Sequence, residues 1–265
     1  MESFSIDELI ESAIAFTNHL INNYPQVNED GELNYYLCGS LAVMLLSQAD
    51  SMRLNNTGEE VVLPECFKTK LSIFARQIGD LDYVRTEAYN KALTEANECW
   101  RDKEKYKSLR SRILLKGGGG PKIADLSDLA KKIIINADKL CGIMCDPLTT
   151  FGDDKIVIIN LVGIDLFIAE PKQLFSYKVL HLIESFNNKP EKFKRDFKIL
   201  YDSMLELYSE EELVDSAYNI LKSLNKEKIR GGLNKLCQNP EFNSSIKPFF
   251  DKLISYDKSK ERLFQ

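Results

Sequence analysis

Ile6, Leu9, Ile10, Ala13, Phe16 and Leu20 recur every three or four positions behind Ser5 and Glu8, whose spacing is that of a capping box. The pattern predicts an amphipathic helix from residue 6 to Asn22, laid against the back of a sheet. Leu33 to Cys38 is short and aromatic-rich, like a strand, Gly39-Ser40 is a turn, and Leu41 to Gln48 returns to helical character. Strand, Gly-Ser, helix is therefore the first unit. Between residues 50 and 66, Asn55-Asn56, Gly58 and Pro64 make a polar segment that reads as an excursion from the sheet, and Phe67 to Ile78 leads back into it. Leu81 and Tyr83-Val84 mark a strand, and because alternate strand residues share a face, Asp80 and Asp82 are expected to converge.

Thr86 to Ser108 is charged with helical periodicity and ends in Lys116, the run Gly117 to Gly120, and Pro121, the sharpest linker in the chain. A further helix is predicted over Leu126 to Leu140. Lys155 to Ile159 and Ile164 to Ile168 then read as strands joined by a tight connection near Gly163, with Asp165 inside the second. From Pro171 onward β-type runs disappear. Leu174, Tyr177, Leu180, Leu182 and Ile183, then Phe193, Phe197, Leu200 and Met204, predict packed amphipathic helices. The fold class expected is α/β (α+β): a small mixed-sheet lobe over residues 1–170, with insertions near 50–67 and 85–154, followed by a helical bundle lobe over 171–265.

With 265 residues, 44% of them hydrophobic, the chain can bury real cores. A net charge of −5 argues against coating nucleic acid through bulk charge, so any RNA contact has to be local. Six cysteines lie scattered among apolar residues, and the one close pair, Cys141 and Cys145, lacks the second pair or the histidines of a zinc site. They read as reduced, mostly buried thiols of a cytoplasmic protein. The acidic start, Met1 to Glu8, has no basic n-region of a secretory signal, and the apolar stretch from Ile156 to Ile168 is interrupted by Asn160 and Asp165, so no membrane span is expected.

Phosphoryl and nucleotidyl transfer need divalent ions to neutralise charge around phosphorus, and hard ions such as Mg2+ (or Mn2+) prefer carboxylate oxygen. Asp80 and Asp82, at i and i+2 of one strand, present their oxygens side by side. Asp165, on another strand, is the candidate third carboxylate and the base that takes the proton of an attacking hydroxyl. An acid in so apolar a strand needs a partner cation or hydrogen bonds, and the alternative for Asp165 is a structural carboxylate capping a turn. Gly39-Ser40 offers backbone N–H groups and a hydroxyl at a helix N-terminus, where a triphosphate is favoured.

The stretches Tyr36 to Ala42, with Gly39-Ser40, and Arg76 to Val84, with Asp80-Leu81-Asp82, resemble the motif of the polymerase-β-like nucleotidyltransferase superfamily, in particular the AbiEii-type toxin nucleotidyltransferases. Ile164-Asp165-Leu166-Phe167 resembles that family's third-carboxylate strand, and Phe175 to Leu180 followed by Lys194 to Lys198 resembles its Lys and Arg-Asp helices. The likeness spans roughly residues 33 to 202 and departs in the long separation of Ser40 from Asp80. It implies that Gly39 and Ser40 bind nucleotide phosphate, that Asp80, Asp82 and Asp165 are catalytic and hold the metal, and that Lys178 meets the phosphates with Asp196 beside it. It further implies transfer of a nucleotide from an NTP to an RNA (a tRNA among them) or protein hydroxyl, and a toxin of a toxin–antitoxin or phage-defence pair with a cognate antitoxin. The alternative is a catalytically inactive nucleotidyltransferase-fold interaction protein or delivered effector.

Other signals carry less. The Gly117–Gly120 run has no Gly-Lys-Ser/Thr after it and reads as a flexible loop. His19 and His181 have no nucleophile or second ligand nearby in sequence. Lys189, Lys192, Lys194, Arg195 and Lys198 suit either an RNA backbone or a solvated helix face. Ser209 followed by Glu210-Glu211-Glu212 reads as a helix N-terminus.

Overall fold

Helix α1 (Ile6–Asn23) starts where the capping box closes: the Glu8 N–H donates to Ser5 Oγ at 3.2 Å and the Ser5 N–H donates to the Glu8 carboxylate at 2.7 Å. The computed structural model describes residues 5–23, 25–76, 83–85, 156–185, 190–222, 226–238 and 246–260. The Gly-rich linker and the helices expected over 86–108 and 126–140 lie outside the described residues. The chain divides into two units, Met1–Val61 with Ala75–Ala169, and Val62–Phe74 with Glu170–Gln265. The segment 62–74 thus groups with the C-terminal helices.

The first unit is built on a mixed sheet. Its strands are β1 (Tyr35–Leu37), β2 (Ser51–Leu54), β3 (Glu60–Val62), β4 (Tyr83–Arg85), β5 (Ile156–Leu161) and β6 (Ile164–Ala169), in the order β3-β2-β5-β6-β1-β4. β1 runs parallel to β6 with Leu37 opposite Ile168, and antiparallel to β4 with Leu37 opposite Tyr83. The expected hairpin is present, its tip Val162-Gly163 at φ 53° and 78°, with Asn160 opposite Asp165.

The polar segment 50–66 departs from the sequence expectation. It joins the sheet: β2 pairs antiparallel with β5, Met52 opposite Ile159. Asn55, Asn56, Thr57 and Gly58 (φ 71°) supply the turn, closed by the Gly58 N–H on the Leu54 carbonyl at 2.8 Å. Strands of three and four residues are too short for alternation to register beside so polar a turn.

Met52, Val157, Ile159, Leu161, Leu166 and Ile168 are buried on one face of the sheet, and the next residues along, Arg53, Asn160 and Asp165, are exposed on the other. β1 is buried throughout, as are Ala13, Phe16 and Leu20 of α1. Gln26 stands in for a missing rung beside β6. Its amide accepts from the Phe167 N–H at 2.9 Å and donates to the Phe167 carbonyl at 2.7 Å, so a buried side chain satisfies both backbone groups.

The second unit is helical: α3 (Glu65–Ser72), α4 (Pro171–Ser185), α5 (Pro190–Met204), α6 (Glu210–Leu221), α7 (Lys226–Gln238) and α8 (Lys247–Ser259). α4 packs against α5, α6 and α7, α8 against α6, and α3 against α5. Phe175, Phe197, Tyr201, Phe249 and Phe250 form an aromatic cluster with centroids 5.2 to 6.1 Å apart. α6 begins at Ser209 with a complete capping box to Glu212. The protein is therefore α+β, a mixed sheet with helices and a set of packed helices. Among the described residues no helix is long and apolar enough to cross a membrane.

Candidate functional site

The chain leaves β1 through Cys38, in extended conformation, and turns at Gly39, whose φ of 63° is left-handed, into α2 (Gly39–Leu46). Leu41 through Leu46 are buried at 1% exposure or less, so Gly39 and Ser40 are the part of α2 within reach of a ligand. The Cys38 side chain makes no cap, and the N–H groups of the first turn carry the positive end of the helix dipole.

Ser40 has a cation on it. Arg76 donates Nε–H to Ser40 Oγ at 3.1 Å and Nη2–H to the same oxygen. Arg76 lies within the acid-pair stretch, where its motif marks no role for it. A cation four positions ahead of Asp80 was the available signal. Asp80 and Asp82 lie outside the described residues. The described chain resumes at Tyr83, the residue after Asp82, opposite Leu37 and hence two positions before Gly39 on the neighbouring strand.

Asp165 is the second residue of β6. Its parallel register, Ile168 opposite Leu37, puts it level with Asn34, five residues before Gly39 and so about 16 Å along the strand at ~3.3 Å per residue. Its carboxylate is 53% exposed, accepts from Arg53 Nη2 at 3.2 Å and from Asn160 Nδ2 at 2.8 Å, and belongs to the polar face at the hairpin end. The partner cation and hydrogen bonds an acid in this strand requires are present, but they are structural ones. The structure does not bring Asp165 to Gly39-Ser40.

In the second unit, Lys178 and Asp196 lie side by side on α4 and α5, Nζ to Oδ2 3.7 Å, both buried, with Lys178 Nζ 5.5 Å from the Phe74 ring centroid. Arg195 reaches the other Asp196 oxygen at 3.7 Å. Of the predicted buried thiols, Cys38 is buried, Cys237 half-buried, and Cys66 exposed. Cys66 donates to Glu206 at 3.1 Å, and that hydrogen bond first, then burial, pushes the thiol up from its ordinary value.

Among the described residues, no three His, Cys, Asp or Glu side chains gather as metal ligands. The donor chemistry that fits Mg2+ is that of the Asp80-Leu81-Asp82 carboxylates, next in sequence to β4. No family model, curated protein or solved structure matches the chain.

Proposed function

We propose that the protein is a metal-dependent nucleotidyltransferase that moves a nucleotide from an NTP to a hydroxyl of an RNA or protein acceptor. The observation that carries the reading is the antiparallel pairing of β1 with β4. One strand leads into Gly39-Ser40, and its partner begins directly after Asp80-Leu81-Asp82. The strand that leads into the turn is thus paired with the strand that follows the acid pair in sequence, an order that supports transfer chemistry.

Mg2+ held by Asp80 and Asp82 would neutralise charge on the triphosphate. Gly39 gives the phosphates close approach to the backbone, and Ser40 adds its hydroxyl at the positive end of α2. An acceptor hydroxyl gives up its proton to solvent water and attacks the α-phosphorus, the new P–O bond forms as the bond to the bridging oxygen breaks, and pyrophosphate leaves. Asp165, engaged by Arg53 and Asn160, is assigned no step in this scheme. Lys178 and Asp196 hold the helices of the second unit together as a buried pair, and a phosphate role for Lys178 rests on the resemblance alone. So do a toxin's role and a cognate antitoxin.

The Asp165 ion pair favours a second reading, a catalytically inactive relative that keeps the fold as an interaction module. Calorimetric titration with each NTP separates the two. Transfer requires Mg2+-dependent binding that disappears in Asp80→Ala and Asp82→Ala, and binding indifferent to both substitutions would leave only the interaction module.

A further inference from the structure

Ser40 Oγ has two acceptor lone pairs and one proton, and a guanidinium has only donors. With Arg76 Nε–H and Nη2–H both directed at that oxygen, the acceptor capacity of Ser40 is filled, and what remains is its own O–H. We propose that Arg76 is a positioning residue that fixes Ser40 as an obligate hydrogen-bond donor, matched to an acceptor-only group: a β- or γ-phosphate oxygen of a nucleoside triphosphate.

The inference deepens the nucleotidyltransferase reading and rests on it. Two further features fit. A guanidinium bound to a hydroxyl oxygen withdraws electron density from it, so the O–H becomes a stronger donor. The hydroxyl belongs to the second residue of α2, where an anion is already favoured, and α2 is otherwise buried, so its position is set by the core. The fork geometry matters as much as the charge. An ammonium is a rotating point charge and does not direct two N–H groups from one plane to one oxygen. Held this way, Ser40 disfavours ligands that present a donor and selects phosphate.

The test is a double-mutant cycle on Mg2+–NTP affinity, by calorimetry on the full chain, with wild type, Arg76→Gln, Ser40→Ala and the double variant. Loss of a hydrogen bond in a charged site is expected to weaken binding by about tenfold in each single variant. The double variant is expected to bind no worse than Ser40→Ala, because Arg76 acts through Ser40. Thermal midpoints within a few degrees of wild type guard against unfolding, and Arg76→Lys serves as a second variant. It is expected to weaken binding as Arg76→Gln does, since it keeps charge without the fork. Additive losses, or full rescue by lysine, would overturn the assignment while leaving the nucleotide reading standing. A wild type that binds no NTP would overturn both.

Discussion

Asp165 and Asp196 show how a carboxylate's work is set by what surrounds it. Asp165 is half exposed and bound to an equally exposed Arg53, an arrangement that contributes little to stability. Asp165→Asn is therefore expected to retain most transfer activity in an assay where Asp80→Ala abolishes it. An equal loss in the two would return Asp165 to the reaction. Asp196 is 1% exposed beside a buried ammonium. Removing it takes a carboxylate away from a buried ammonium, so Asp196→Ala is expected to cost about 3–5 kcal/mol in chemical denaturation. A cost below 1 kcal/mol would show that the pair is not held as buried charge. The sequence singled out Asp165 because its apolar neighbours hide the alternation: Ile164 and Phe167 are only partly buried, while Leu166 and Ile168 face the core. It marked Gly39, Ser40, Lys178 and Asp196 through their motifs but left Arg76 without a role, because a hydrogen bond spanning 36 residues has no local signature.

At the scale of elements, α7 shows what a pair of adjacent glycines does. A Cβ on Gly232 would sit 2.5 Å from the Ile183 carbonyl oxygen of α4, whereas one on Gly231 would meet nothing within 4 Å. Gly231→Ala is expected to stabilise by about 0.5–1 kcal/mol through helix propensity. Gly232→Ala gains the same propensity but forces α7 off α4, an overpacking cost of about 1–3 kcal/mol that is expected to win. Thermal melts of the two variants should therefore shift in opposite directions, and a shared direction would mean that α7 does not approach α4 so closely. Elements with a full period were legible in the sequence: α1 with its capping box, the β5–β6 hairpin, and the helices after Pro171. β2 and β3 were not, since three or four residues beside a polar turn carry no period, and β2 takes its place in the sheet from the distant partner β5, with β3 beside it at the edge.

At the scale of the molecule, the acidic balance of the chain is joined to specific carboxylates of the second unit. Glu206 is held below its ordinary value by its hydrogen bond from Lys70 and then by that from Cys66, Glu210 by Lys252 and then Tyr201, and Glu212 by the Ser209 backbone and then its hydroxyl. Carboxyls depressed on folding contribute stability that is present above the unfolded value of 4.5 and is lost as pH falls through the folded ones. Melting temperature is thus expected to fall on the acid side of that value, and Glu210→Gln to flatten the fall. A variant with the wild-type acid slope would show that this cluster does not set it.

The two-unit division, an α+β protein whose sheet carries Gly39-Ser40 beside the strand after the acid pair, frames the central claim of nucleotidyl transfer. It is tested most directly by incubating the purified protein with each NTP labelled at the α-phosphorus, Mg2+ or Mn2+, and cellular RNA and protein, comparing wild type with Asp80→Ala. Label entering RNA or protein with the wild type alone is the expected result and names the acceptor class. Label entering neither with any nucleotide, or entering equally with both proteins, would contradict it.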